Sequence, residues 1–208
     1  YSENNFPDFD LSDGSIDTTT EQINRFITQA EQRIYNTVQF PSLRKNMTGN
    51  IQSGNKYLKA PDDFLAVYSL AVIDATGNYE YLLNKDVNYI RAAYPNPTTD
   101  TGIPKYYALF GPAIVGSAIT DELTFILGPT PDAAYTVELH FYYYPESITT
   151  AADGRTWLGD NFDTVLLYGS LVEAYTYMKG EQDVMAYYET KYKEALAQAK
   201  RLGDGMER

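Results

Sequence analysis

The sequence contains no cysteine, one histidine and one tryptophan. Without cysteine there is no disulfide, no zinc–thiolate centre and no dithiol redox pair. A single histidine does not build a typical zinc site, although carboxylates can contribute ligands. No apolar run approaches the roughly 20 residues that a membrane-spanning helix needs, so the expectation is a soluble chain. No signal-peptide pattern opens it, and the first residue is Tyr1 rather than Met, as in a trimmed start. Basic residues are scarce too: 16 Lys and Arg stand against 28 Asp and Glu, a net charge of −12. Duplex binding requires clustered Lys and Arg, and this balance argues against it.

Tyrosine is abundant, with 20 residues in 208. A chain of that length buries a core without staples, as one domain or as one domain with another inserted. Its charge comes in blocks. Residues 1–21 carry Glu3, Asp8, Asp10, Asp13, Asp17 and Glu21 with no base. Residues 25–59 reverse this, with Arg25, Arg33, Arg44, Lys45, Lys56 and Lys59 against Glu31 alone. Acids dominate again from Asp62 to Asp160. Such blocks are first of all solvated faces. The sharper alternative is a polar subunit whose basic patch meets a neighbour's acidic one, a head-to-tail contact that closes into rings.

Periodicity divides the chain in three. After an opening arm, Thr18-x-x-Glu21 has capping-box spacing. Behind it Ile23, Phe26, Ile27, Ala30, Ile34 and Val38 form a helical stripe that ends before Pro41. The middle reads as strands: Tyr57 to Lys59, Phe64 to Ile73, Tyr79 to Leu83, Lys105 to Phe110 and Leu123 to Leu127. A short helix is expected over Asp86 to Ala93. The clearest strand is Tyr135 to Tyr144, with Tyr135, Val137, Leu139, Phe141 and Tyr143 on one face. After Pro145 a helix capped by Asp160 or Asn161 carries Val165, Leu166, Ala174, Tyr175 and Met178, with Gly180 at a left-handed C-cap. A last helix carries Val184, Tyr188, Tyr192, Ala195, Ala199 and Leu202. The expected fold is therefore α+β: an antiparallel helical bundle, one N-terminal helix plus a C-terminal helical hairpin, with an inserted antiparallel β-sheet or small β-sandwich. The expected organisation is an arm at 1–17, a helical domain at 18–49 and 148–208, and an inserted β domain at 50–147.

Motifs with chemistry fail on spacing. Asp8-x-Asp10-x-x-Asp13-Gly14 puts Asp13 where a calcium loop needs glycine and Thr19 where it needs glutamate. Gly111-x-x-x-x-Gly116-Ser117 has phosphate-loop glycines but no lysine. His140 projects with Glu138 and Tyr142, away from the core face, and no nucleophile-elbow pattern accompanies it. Two carboxylates placed for glycoside hydrolysis are a distant alternative among so many acids. No residue is assigned a catalytic, cofactor-binding or metal-binding role, and the chain reads as an assembly subunit rather than an enzyme.

An ordered series of segments carries a resemblance. It runs through Leu43-Arg44-Lys45-Asn46-Met47-Thr48-Gly49, Tyr57-Leu58-Lys59-Ala60-Pro61-Asp62-Asp63-Phe64-Leu65 and Leu83-Asn84-Lys85-Asp86-Val87-Asn88-Tyr89-Ile90. It continues in Gly102-Ile103-Pro104-Lys105-Tyr106-Tyr107, Gly128-Pro129-Thr130-Pro131 and Tyr135-Thr136-Val137-Glu138-Leu139-His140. Trp157-Leu158-Gly159 and Tyr168-Gly169-Ser170-Leu171-Val172-Glu173-Ala174-Tyr175 complete it. From about Thr18 onward the chain resembles tailed-bacteriophage head–tail adaptor (connector) proteins, with Gly111 to Asp121 longer than the family pattern. The resemblance implies a structural virion protein of the head–tail junction, assembled in the host bacterial cytoplasm. It implies a homo-oligomeric, dodecameric ring that binds the portal protein and holds tail nozzle, tube or fibre proteins. The ring lines the passage for DNA at genome ejection, without sequence-specific binding, membrane partner, cofactor or catalytic residue. The alternative is a glycan-binding β module of a phage tail or surface protein, with strand tyrosines stacking on sugars.

Overall fold

The computed structural model describes residues 9–10, 16–17, 19–115 and 118–206. Strands β1 (Phe9–Asp10) and β2 (Ile16–Asp17) pair ahead of helix α1 (Thr19–Thr37). Thr18 of the expected capping box and most of the arm lie outside the described residues, while Glu21 sits in the first turn of α1. Phe26, Ala30 and Ile34 recur at four-residue spacing and are buried, which gives α1 its inner stripe.

The chain divides into two compact units, residues 1–43 with 144–208 and residues 44–143. The second opens with β3 (Arg44–Ile51), β4 (Tyr57–Lys59), β5 (Ala66–Ile73), β6 (Tyr79–Tyr81) and β7 (Leu83–Asn84). After helix α2 (Val87–Ala93) come β8 (Tyr106–Val115), β9 (Ala118–Gly128) and β10 (Tyr135–Tyr142). One sheet has the order β3-β10-β5-β6 and is antiparallel throughout. The other has the order β4-β9-β8-β7, with only β7 and β8 parallel.

Alternation decides which faces meet. Val137, Leu139 and Phe141 are buried, while Glu138, His140 and Tyr142 between them are half-buried, as the period of two requires. The inner face of the first sheet, including Leu70 and Val72, packs on Tyr107, Phe125 and Leu127 of the second. Phe64 stands edge-on to Phe125 with ring centroids 5.3 Å apart. Unlike β10, β9 is apolar at consecutive positions, because Ile126 points the other way onto Ala108 and Ile90 of α2. Asp86 caps α2, its side chain accepting from Asn88 N. Gly128 lets this helix approach: a Cβ there would lie 2.8 Å from Ile90 and 2.9 Å from the Tyr94 ring.

Three features differ from the sequence expectation. Residues 44–51, read there without an element, form β3, whose polar sequence is held by unbroken pairing with β10. The stretch Tyr79 to Leu83 is two strands, because the chain changes sheet at buried Leu82, whose N–H donates to Leu70 O. Gly111 and Pro112, beyond the strand expected to end at Phe110, lie inside β8. Gly111 has φ +106° at a register shift, and its carbonyl accepts from Thr124 Oγ1 at 2.8 Å.

The first unit resumes with α3 (Trp157–Asn161), α4 (Asp163–Tyr177) and α5 (Gln182–Met206). Phe40, Trp157 and Phe162 form an aromatic triad with centroids 5.0 to 5.5 Å apart. Neither Asp160 nor Asn161 caps α4. Asp160 pairs with Arg155, the Asn161 amide donates to Trp157 O, and the cap position is Phe162. At the other end of α4, Lys179 rather than Gly180 takes the left-handed conformation, at φ 53°. Gly180 N–H donates to Tyr175 O and Lys179 N–H to Thr176 O, which satisfies two terminal carbonyls. Glycine is needed at 180 for space instead, since a Cβ would lie 2.5 Å from the Tyr175 ring. Along α4, Gly169 lies against Ala30 of α1 and Tyr192 of α5, Tyr175 meets Tyr188, and Phe26 meets Tyr177.

Candidate functional site

The face of the β3-β10-β5-β6 sheet turned away from the core is built almost entirely by alternation. On β10 it receives Glu138, His140 and Tyr142, and on β3 their partners Thr48, Asn46 and Arg44. On β6 it receives Tyr79 and Tyr81. Strand β5 adds Tyr68 through a bulge, because the register shifts between His140 opposite Ser69 and Phe141 opposite Val67. Tyr68, Tyr79 and Tyr81 are 53%, 47% and 62% exposed. Three large aromatics on one uncovered face exceed the scattered exposure normal for a surface.

These rings are ordered by their neighbours. The Tyr68 ring stands edge-on to His140 at 4.9 Å and to Tyr142 at 6.0 Å, and the Arg44 guanidinium lies 4.7 Å over it. Tyr79 stacks on Tyr81 at 6.1 Å and donates from its hydroxyl to Glu138 Oε2 at 3.3 Å. The Glu138 charge holds the Tyr79 phenol above its ordinary pKa, so it stays a neutral donor. This arrangement can stack, donate and accept across a broad surface. His140 packs its imidazole against the Tyr68 ring on this face.

The remaining sequence motifs fall as follows. Asp10 lies in β1, while Asp8, Asp13 and Gly14 are outside the described residues, as are Gly116 and Ser117. Tyr142 ends β10. Tyr143 packs on the core cluster, and the Tyr144 hydroxyl donates to Asn36 Oδ1 in the helical unit. Among the described residues, no group of three or more His, Asp or Glu side chains is placed to hold a metal ion. Nor does any described helix have the length and apolarity to cross a membrane.

The basic block is not a bare patch. Arg33 pairs with Glu173 at 2.9 Å, Lys45 with Asp63 at 2.8 Å and Lys59 with Asp62 at 3.4 Å. Lys56 lies 5.6 Å from the centre of the Tyr57 ring. Glu31, read from sequence as the lone acid in that block, is 2% exposed, and its Oε1 accepts from Ile148 N at 2.9 Å. It fastens the segment after Pro145 to α1, and its spacing of four from Ile27 and three from Ile34 on the helix is the signal that could have revealed its burial. The helical unit also holds an apolar groove of about 500 Å³, lined by Ile23, Phe26, Ile27, Leu166, Leu167 and Leu171 among others.

Sequence alternation placed Glu138, His140 and Tyr142 on this outer face, but not the tyrosines of β5 and β6. The β5 bulge that turns Tyr68 outward has no signature in the run Ala66 to Ile73, and Tyr79 and Tyr81 join the face only through pairing with β5. Compared with known proteins, residues 7–208 match the family model described as SU10 adaptor protein. No curated protein matches the chain.

Proposed function

The chain belongs to the SU10 adaptor protein family, and from that premise we propose that it is the head–tail adaptor of a phage virion, forming a dodecameric ring between portal and tail. The family is one of structural phage components. The observation that carries the proposal is the exposed tyrosine face, because large amphipathic rings on a firm sheet are what protein interfaces are enriched in. In this reading the tyrosine face contacts tail nozzle, tube or fibre proteins.

The helices supply the ring scaffold, as one antiparallel bundle of α1 with the α4–α5 hairpin. Its support is the order of contacts: Phe26 with Tyr177 and Ala30 with Gly169, then Thr176 with Met185 and Gly169 with Tyr192. The proposed domains are that helical part and the inserted β part. The net charge of −12 suits a wall past which DNA slides, since like charge repels within a Debye length of about 8 Å in physiological salt.

A particle reconstruction tests the assignment directly. It is expected to place twelve copies beneath the portal with the β part toward the tail; β parts free of partners and helices outermost would overturn it. A second reading, glycan recognition, draws on the Tyr79–Tyr81 stack beside Glu138, which offers ring faces and an acceptor together. A glycan array separates the two: retention by a strictly monomeric chain, lost in Tyr81→Ser, favours glycan binding.

A further inference from the structure

Four strand edges border the two sheets, and three are very short. Strands β6, β4 and β7 have three, three and two residues, so each offers a neighbouring chain at most three positions to pair with. The fourth, β3, has eight residues and pairs with β10 on one side only. Its register with β10 is unbroken from Arg44 to Ile51, it contains no proline, and Asn46, Met47, Thr48 and Asn50 are exposed. Met47 extends this contrast. It shares the core-facing row with Leu139, yet is 49% exposed, so the inner layer is uncovered at this point of the edge, while Ile51 further along the row is buried.

We propose that β3 of one copy is paired by β6 of the next, so that the β3-β10-β5-β6 sheet continues from subunit to subunit. This rests on the reading of the chain as a ring subunit and supplies the contact that repeats around it. Strand direction allows it. Each of the three pairings in the sheet is antiparallel, so β3 and β6 run oppositely, and a neighbour's β6 laid beside β3 keeps the alternation. The contact is heterologous, using a different patch on each side, as ring closure requires.

Side-chain parity then restricts the register. Tyr79 and Tyr81 must share a face with Arg44, Asn46, Thr48 and Asn50, and Glu80 must fall in the row of Lys45, Met47, Gly49 and Ile51. Of the choices in that row, only Lys45 gives Glu80 an opposite charge. Lys45 bonds Asp63 through one of its three donors, which leaves geometry for a second carboxylate. The same register sets Tyr81 opposite Arg44 and Tyr79 opposite Asn46. The tyrosine face of one copy then runs into Arg44, Tyr68, His140 and Tyr142 of the next, and the proposed tail-contacting surface becomes a continuous belt.

The absence of cysteine makes the register directly testable. Arg44→Cys and Tyr81→Cys chains are prepared separately, mixed at high concentration and oxidised, or linked with a short bis-maleimide. Directly opposed residues have Cβ atoms about 5 Å apart, so a covalent 44–81 heterodimer is expected. Asn50→Cys, six residues along the same strand and so about 20 Å away, is expected to give none with Tyr81→Cys. Mass determination on the unlinked mixture keeps the two ideas apart. An oligomer without the 44–81 link, or with equal linking at 50, overturns the strand pairing and leaves the adaptor ring standing. A 44–81 link in chains that form only open, unclosed series, even with the portal present, supports the pairing and counts against the ring. A chain that stays monomeric and unlinked overturns the pairing.

Discussion

The two sheets of the β unit share one inner core but differ in their outer faces. Behind the β4-β9-β8-β7 sheet, Ala108 and Ile126 lie under Ile90 of α2 and are buried. Behind the β3-β10-β5-β6 sheet no helix lies among the unit's described residues, and Tyr68, Tyr79 and Tyr81 are exposed. Coverage differs more than residue type: Tyr106 and Phe110 join Ala108 and Ile126 on the face under α2 and are half-buried, whereas Tyr68, Tyr79 and Tyr81 hold an apolar ring and a polar tip out to water. In a family of adaptor proteins the second kind of face is where assembly is expected, while the first stabilises the subunit.

Substitutions can break the comparison in graded ways. The largest effect is expected from Phe125→Ala, since the ring is fully buried between the sheets and both lose the same support. A loss of about 3–5 kcal/mol by chemical denaturation is expected, and a loss below about 1 kcal/mol would mean that the sheets do not share a core. Next is Gly128→Ala. Its Cβ would collide with Ile90 and Tyr94, lifting α2 from the covered face at a cost of about 1–3 kcal/mol. Faster amide exchange confined to residues 86–94 would show that the cover, not the core, has been disturbed. Tyr81→Ser should behave in the opposite way, leaving stability within about 0.5 kcal/mol while reducing incorporation into assembled particles. Normal incorporation would remove the tyrosine face from the interface.

How much of this was legible from sequence depended on whether the signal was local. Strand β10 was readable because Val137, Leu139 and Phe141 alternate with polar or amphipathic residues, and a short helix was expected over Asp86 to Ala93, where α2 lies with Asp86 as its cap. The α+β class followed from the change of period between the middle and the ends. Strand β3 was not readable: Lys45, Asn46, Gly49 and Asn50 carry no strand preference, and only pairing with β10 holds them extended. The tyrosine face depends on the same non-local pairing, with the added shift at the β5 bulge. The C-cap of α4 shows how a correct motif can mislead in detail. Gly180 marks the end of the helix, but the left-handed residue is Lys179, and the glycine is there for the Tyr175 ring.

The smallest expected effect concerns how the edge of the uncovered face is presented. Between β5 and β6, the Asp74 carboxylate accepts from Thr76 Oγ1 at 2.6 Å, Thr76 N at 2.8 Å, Asn78 N at 2.9 Å and Asn78 Nδ2 at 3.1 Å. The Thr76 hydroxyl first, then the Asn78 backbone and side chain, hold this carboxyl well below the usual carboxylate range. Because the folded-state pKa is depressed, the contribution to stability is present above the unfolded value of about 3.9 and is lost as the pH falls below it. Asp74→Asn removes the charge that gathers these donors, so it should lower the denaturation midpoint slightly at neutral pH. The gap from the parent should narrow as the pH drops to about 3, because the unfolded chain then takes up a proton that the folded carboxylate still resists, and it closes only at lower pH. A gap unchanged between the two conditions would show that shape rather than charge sets the turn. Gly77, at φ +87°, would then be the residue on which the placing of Tyr79 and Tyr81 depends.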